Sequence, residues 1–187
     1  GRFSDQKNFK LMVLAYDDYV KKQILNNVNV INLKIYGDGE TKDYIISLIS
    51  QLGLSKYVEV CKSCSDVVNT IAKSKALLLT SKYEGFCNVV AEAQLTGVPV
   101  ISVDCDFGPK EILVNEHNYL KVSNNENVFF NNRGIIVKSY NKSDFTYALC
   151  LFDKLNFDKS IIFHESHSQF NKAKTLSKWK HLINKVV

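Results

Sequence analysis

Two glutamates, Glu84 and Glu92, enclose the run Gly85, Phe86, Cys87, Asn88 and Val89. An ionised carboxylate only accepts hydrogen bonds, and its two oxygens match two neighbouring hydroxyls, as on a sugar ring or a ribose. Asn88 is a good helix N-cap. Val89, Val90, Ala93 and Leu95 follow at a spacing compatible with a helix, and Gly97 and Pro99 end it. A helix opening there leaves unpaired backbone N–H groups around Asn88 to Ala91, where they and the helix dipole favour a phosphate. Glu84 then lies in the loop before the helix and Glu92 about one turn inside it. A phosphate flanked by two polyols is a nucleotide sugar.

The elements that must position these residues follow from the rest of the chain. The apolar run Ala76–Leu79 suits a buried strand leading into the Gly85 turn. Upstream, Gln6 to Tyr19 can form a helix burying Phe9, Leu11, Met12, Leu14 and Ala15. Leu33–Tyr36 reads as a strand running into Gly37. A helix over Thr41 to Leu52 follows, with Tyr44, Ile45, Leu48 and Ile49 on one face and Gly53 closing it. Tyr57–Val60 is the next strand, exposing Glu59, and Asp66 to Ala72 a short helix. Downstream, Pro99–Val103 is a strand, Asp104 to Pro109 a loop opening a short helix at Lys110, and Gly134–Val137 the last strand. Residues 114–132, rich in asparagine around Phe129 and Phe130, read as an inserted loop. Strands alternating with helices imply parallel βαβ units and an α/β layered sheet, with ligands at the carboxyl ends of its strands.

Glu84-Gly85-Phe86-x-Asn88-x-x-x-Glu92-Ala93 resembles the E-x7-E element of the retaining glycosyltransferases of family 4. Gly1-Arg2-Phe3 with Lys7-Asn8, Ile35-x-Gly37-x-Gly39, Gly97-x-Pro99, and Asp104-Cys105-x-x-Gly108-Pro109-x-Glu111 occur in the order that family shows, over roughly residues 1–113. The resemblance implies a Rossmann-like three-layer domain with a parallel sheet, the donor-binding half of a two-domain GT-B enzyme. Residues 1–187 would then be that half, without its first strand and without the N-terminal acceptor domain. It further implies that Arg2 and Lys7 bind the pyrophosphate together with amides near Asn88 and Val89. Glu84 would bind the donor sugar beside the backbone of Gly85, Phe86 and Cys87, and Glu92 the ribose diol. The donor would be a nucleotide sugar, UDP-linked, with no metal and no other cofactor required. The acceptor, a glycan or lipid-linked sugar, would reach the site through the other domain. The base would lie near the loop after Val60, where the family often has glycine and this chain has Lys62.

Taken singly, each piece has a plainer reading: Gly37-x-Gly39 as a strand-to-helix turn, Glu92 as a solvated helix residue, Arg2 and Lys7 as surface charges. Five elements in register make those readings improbable together. A non-catalytic nucleotide-sugar-binding or regulatory domain is one alternative function, which the intact Arg2, Lys7, Glu84 and Glu92 argue against. A nucleotide-sugar epimerase of similar architecture is another, and Gly85-Phe86-x-Asn88 favours the transferase.

At 187 residues, 45% hydrophobic and 23% charged, the composition is that of an ordinary globular domain. There is no apolar run long enough to cross a bilayer and no targeting pattern at the start, so a cytoplasmic setting is expected; the resemblance adds the inner face of the cell membrane. Cys61, Cys64, Cys87, Cys105 and Cys150 are odd in number and irregularly spaced, arguing for free thiols. Cys61 and Cys64 lack a second pair at zinc-ligand spacing, and His164 and His167 read as surface or packing residues. Basic and acidic side chains balance over residues 1–137, so the net charge of +5 arises entirely after them. There, Lys172, Lys174, Lys178, Lys180 and Lys185 accompany Leu176, Trp179, Leu182, Ile183 and Val186. A basic amphipathic helix of this kind can associate peripherally with an acidic membrane or snorkel its lysines around a packed stripe, and packing is the favoured reading. No aromatic platform or groove-reading motif points to nucleic acid.

Overall fold

The computed structural model describes residues 1–105, 107–114, 120–171 and 176–177. Helix α1 spans Phe9–Leu25, starting later and ending later than expected. Its start is set by Asn8, whose φ of 49° is left-handed and whose Oδ1 accepts a 3.4 Å bond from the Leu11 amide. A helix cannot run through such a residue, so Asp5–Lys7 form a separate 3₁₀ turn. Leu11, Met12, Ala15, Tyr16, Tyr19 and Val20 make the buried face, and Asn27, also left-handed, follows its end.

Strand β1 (Leu33–Tyr36), helix α2 (Lys42–Gln51), strand β2 (Val58–Cys61) and helix α3 (Val67–Ala72) follow. The strands pair in parallel with Leu33 opposite Val58, and exposed Lys34 and Glu59 pair across them at 2.8 Å. On α2 the buried face is Ile45 and Ile49, with Leu48 partly buried; Tyr44, expected on that face, is half exposed. Then come β3 (Leu77–Leu79), α4 (Asn88–Leu95), β4 (Val100–Val103), α5 (Pro109–Leu113), β5 (Lys121–Val122), β6 (Val128–Asn131), β7 (Gly134–Val137), α6 (Lys142–Phe152) and α7 (Lys159–Gln169).

Strands β3, β4 and β7 are parallel, and β6 and β5 extend the sheet antiparallel in the order β3-β4-β7-β6-β5. The sheet is therefore mostly rather than wholly parallel, and the stretch expected as an inserted loop supplies two strands. The asparagines make its turns. Asn125 Oδ1 accepts from the Asn127 amide at 2.9 Å, and Asn131 Oδ1 accepts from the amides of Arg133 and Gly134 at 2.9 and 3.1 Å. Between those turns, Val128 to Asn131 are free to alternate across the sheet.

Helices cover both faces. Ile101, Val103, Ile135 and Val137 meet α1 and α6, while Val100, Ile136 and Leu79 meet α3, α4 and α5. Strands buried on both sides read as continuous apolar runs, which is why the sequence displays them. No described helix is long and apolar enough to cross a membrane. Apart from exposed Leu176 and its neighbour, the basic amphipathic stretch lies outside the described residues.

Candidate functional site

The site is assembled from two loops far apart in sequence. Residues 1–8 are anchored by Phe3, fully buried, whose amide donates to the Asp38 carbonyl at 2.8 Å. That loop lies directly on the turn after β1. A Cβ at Gly37 would fall 1.7 Å from the Gly1 carbonyl oxygen and one at Gly39 2.4 Å from that of Phe3. Both glycines have φ of 148°, so no other residue serves here. Gly37 thus acts by letting the first loop sit down.

From there the first loop is joined to the loop after β3. Thr80 Oγ1 donates to the carbonyls of Lys7 and Asn8 at 3.0 and 3.1 Å, the Lys82 amide to the Gln6 carbonyl at 2.8 Å, and Gln6 Nε2 to the Tyr83 carbonyl at 2.9 Å. Lys82 also pairs with Asp5 at 2.6 Å. The result is a 2.6 Å ion pair between Lys7 Nζ and Glu84 Oε1, whose side chains are 23% and 10% exposed. Thr80 and Gln6 carry no signal in the sequence that marks them for this task; a hydroxyl and an amide at those positions read as ordinary polar residues.

Beyond Glu84 the chain enters α4. The cap is Cys87 rather than Asn88: Asn88 is the first helical residue and exposed, and the Cys87 carbonyl accepts from the amides of Val90 and Ala91 at 3.0 and 3.2 Å. The Asn88 and Val89 amides, one residue inside the helix, are the donors left to a ligand. Glu92 lies one turn further on the same face as Asn88, half-buried, its carboxylate with neither a hydrogen bond nor an ion pair among the described residues. The Cys87 thiol is pushed up to about 12, by burial first and then by the charge of Glu84, so at neutral pH it is a neutral packing group. All five cysteines are free thiols.

A third loop leans on the second. Gly108, at φ 106°, brings the turn before α5 so close that a Cβ would sit 2.8 Å from the Gly85 carbonyl oxygen. The Glu111 carboxylate holds it by accepting from the Gly108 amide at 2.7 Å. Phe86 and Phe107 stand on this rim, 64% and 74% exposed. Arg2 is placed differently from Lys7: its guanidinium reaches Glu40 at 3.3 Å and is largely exposed. Lys7 and Glu84 are thus brought into contact, Asn88, Val89 and Glu92 share the start of α4, and Arg2 stands on the outer side of the first loop.

Residues 1–149 match the family model for glycosyl transferases group 1. An uncharacterized glycosyltransferase, MJ1059, of Methanocaldococcus jannaschii is 29% identical over 143 residues, covering 76% of this chain and 33% of that protein. The poly(ribitol-phosphate) alpha-N-acetylglucosaminyltransferase of Staphylococcus aureus is 28% identical over 128 residues, covering 68% and 25%. A variant of S. aureus TarM, solved with Fondaparinux, alpha-GlcNAc-glycerol and UDP, superposes with a TM-score of 0.73 at 21% identity, over 98% of this chain and 34% of that one. The chain spans about a third or less of the length of these relatives. Its mostly parallel α/β sheet is one Rossmann-like half of a GT-B glycosyltransferase fold, and with the family match reaching from the first loop into α6 the chain belongs to the group 1 glycosyl transferases.

Proposed function

We propose that this chain is the donor-binding half of a retaining, metal-independent glycosyltransferase that uses a UDP-linked sugar to extend a glycan or lipid-linked acceptor, the acceptor site lying in a second domain. The observation that carries this reading is the Lys7–Glu84 pair held beside the opening of α4. An ammonium has three donors and a carboxylate about four lone-pair sites, so one mutual bond leaves both with capacity to spare. Lys7 can add bonds to pyrophosphate oxygens while Glu84 adds bonds from sugar hydroxyls. The pair need not break.

Departure of a nucleoside diphosphate requires that its charge be neutralised as the bond to the sugar lengthens. Lys7, the Asn88 and Val89 amides and the α4 dipole supply fixed positive potential for that charge, and Arg2 joins them by exchanging Glu40 for phosphate. Glu92, with no competing partner, takes the ribose diol. Glu84, anionic beside the donor sugar, also stabilises positive charge developing on the ring. The UDP in the TarM structure and the sugar-transferring names of the relatives support a uridine nucleotide as carrier of the donor sugar; a surface-glycan setting at the cytoplasmic face of the membrane is part of the proposal.

Calorimetric titration with UDP and with a panel of UDP-sugars, in the presence of a chelator, tests the reading. Binding should persist in chelator and weaken as salt is raised, because charge pairing is screened with a Debye length of about 10 Å at 0.1 M. Complete loss of binding in chelator would refute the metal-free mechanism. The chain alone should at most hydrolyse donor slowly, since positioning an acceptor and excluding water need the second domain. Glycan elongation at ordinary enzymatic rates by residues 1–187 would remove the need for that domain.

A further inference from the structure

The donor loops occupy the carboxyl ends of the strands, and the opposite pole of the molecule is built differently. There the segments 22–32, 53–57, 72–76 and 153–159 gather around the strand starts. Tyr16 Oη of α1 donates to the Ile31 carbonyl at 2.8 Å and lies 3.3 Å from that of Tyr57, which sets the approaches to β1 and β2 side by side. Lys159 Nζ donates to the carbonyls of Ala72 and Ser74, both at 3.2 Å, and Ile31, Lys75, Pro99 and Phe157 border one hollow, so the approaches to β1, β3, β4 and α7 lie together. Gln23 Nε2 donates to Asp153 and brings the end of α1 against the end of α6.

This pole carries Lys22, Lys56, Lys73, Lys75, Lys154 and Lys159, all exposed, against two carboxylates, Asp153 and Asp158. Both carboxylates are engaged locally, Asp153 by Gln23 and Asp158 by the amides of Ser160 and Ile161 that it caps. Among the described residues none of the six lysines forms an ion pair, whereas around the donor loops Arg2, Lys7, Lys42, Lys82 and Lys110 each meet a carboxylate. Lysines without partners are an ordinary solvated surface where the face is polar throughout. This face is not. Helix α1 ends among them in Ile24 and Leu25, 54% and 82% exposed, with Val28 49% exposed just beyond, and Lys22 stands one turn before Leu25. Anionic headgroups over hydrocarbon satisfy both features, drawing the lysines and accepting the aliphatic tip. Nucleic acid would take the lysines and leave the tip in water.

We propose that this pole docks on an anionic bilayer surface, with Ile24, Leu25 and Val28 entering the headgroup region and the six lysines set against acidic headgroups. Docked so, the carboxyl ends of the strands, with Lys7, Glu84 and the opening of α4, face away from the lipid and stay open to soluble ligands. The inference goes beyond the transferase reading and does not need it, because it rests on where charge and exposed apolar surface lie.

The test sediments residues 1–187 with vesicles of equal parts phosphatidylglycerol and phosphatidylcholine, and with vesicles of phosphatidylcholine alone. The mixed vesicles should bind about tenfold more tightly or better, and raised salt should weaken that binding. Leu25→Asp, and separately Lys22→Glu with Lys154→Glu, should each lower it by about tenfold or more. All three positions are exposed, so circular dichroism should be unchanged, and UDP affinity measured on the same variants reports the donor site separately. No preference for the mixed vesicles, or binding that survives both sets of substitutions, would overturn the proposal. Loss of binding only on Lys178→Glu with Lys180→Glu would do so by assigning the attraction to the C-terminal lysines. Binding of polyuridylate that falls with the lysine reversals, while vesicle binding ignores Leu25→Asp, would assign the face to nucleic acid instead.

Discussion

Two cations, half-buried Lys7 and buried Arg133, show how differently the same kind of charge can be held. Arg133 is wholly buried, with Nε on Gln94 Oε1 at 2.7 Å, Nη1 on Gln169 Oε1 at 2.5 Å and Nη2 on Ser166 Oγ at 2.8 Å. Its acceptors are neutral, and burial pushes its guanidinium down from the ordinary value. Gln94 closes the network by donating to the carbonyls of Val98 and Arg133, both at 3.1 Å, so α4, the β6–β7 turn and α7 are fastened together. Lys7 instead meets a carboxylate, at the mouth of two loops, and keeps donors in hand. A cation whose donors all end on neutral acceptors is a structural rivet, whereas a charge pair with spare valence beside an open helix end has the capacity that the proposed ligand would use.

The contrast breaks most sharply at the rivet. Replacing Arg133 by Met removes three hydrogen bonds, two of them fully buried, and strands their acceptors; it should cost about 3–5 kcal/mol of stability in urea unfolding, while the folded fraction binds UDP as before. A loss below about 1 kcal/mol would show that α7 is held by packing alone.

At the ligand side the effects should appear in affinity rather than stability. Glu92→Ala should weaken UDP and UDP-sugar alike by about 1.5–3 kcal/mol, roughly ten- to a hundredfold, because the ribose is common to both. Glu84→Ala should weaken the sugar nucleotide by a similar factor and spare UDP. Calorimetry on each variant, with circular dichroism as a check on folding, separates the two; equal losses for both ligands in Glu84→Ala would move that residue away from the sugar. Lys7→Ala should lower affinity for both ligands by about tenfold while changing stability by only about 1 kcal/mol or less, as expected of a partly exposed pair.

A smaller effect should come from Asp144, where Ser139 Oγ at 2.6 Å and the amides of Asn125 at 2.9 Å and Asn127 at 3.1 Å hold the carboxyl below its ordinary 3.8. A depressed carboxylate stabilises the fold above the unfolded value and loses that contribution as pH falls through the folded one. Asp144→Asn should therefore be less stable than the wild type at pH 7, by about 1–2 kcal/mol, with the difference shrinking below about pH 4. The smallest effect concerns Cys87. Its thiol stays protonated to about 12 against an ordinary 9, so it should resist iodoacetamide at pH 8, and its contribution to stability should decline as pH rises from 9 toward 12.

The sequence by itself determined the central strands, because Val100–Val103 and Gly134–Val137 are buried at every position and so read as near-continuous apolar runs. It also marked the site's skeleton, since a glycine at a left-handed turn and a carboxylate one turn into a helix are local requirements. Only the tertiary structure decided the rest. Asparagines look alike in a loop and in the tight turns that bound β6, and the difference lies in partners such as Asp144 and Leu113 that are distant in sequence. Asn88 has the side chain of a cap, yet the backbone placed Cys87 there, because Gly108 packing against Gly85 and Cys87 shapes where the helix can begin. Nothing near Lys7 in the chain foretells Glu84; their 2.6 Å contact depends on Phe3, Gln6 and Thr80 locking two loops together, and long-range hydrogen bonds of that kind leave no periodicity to read.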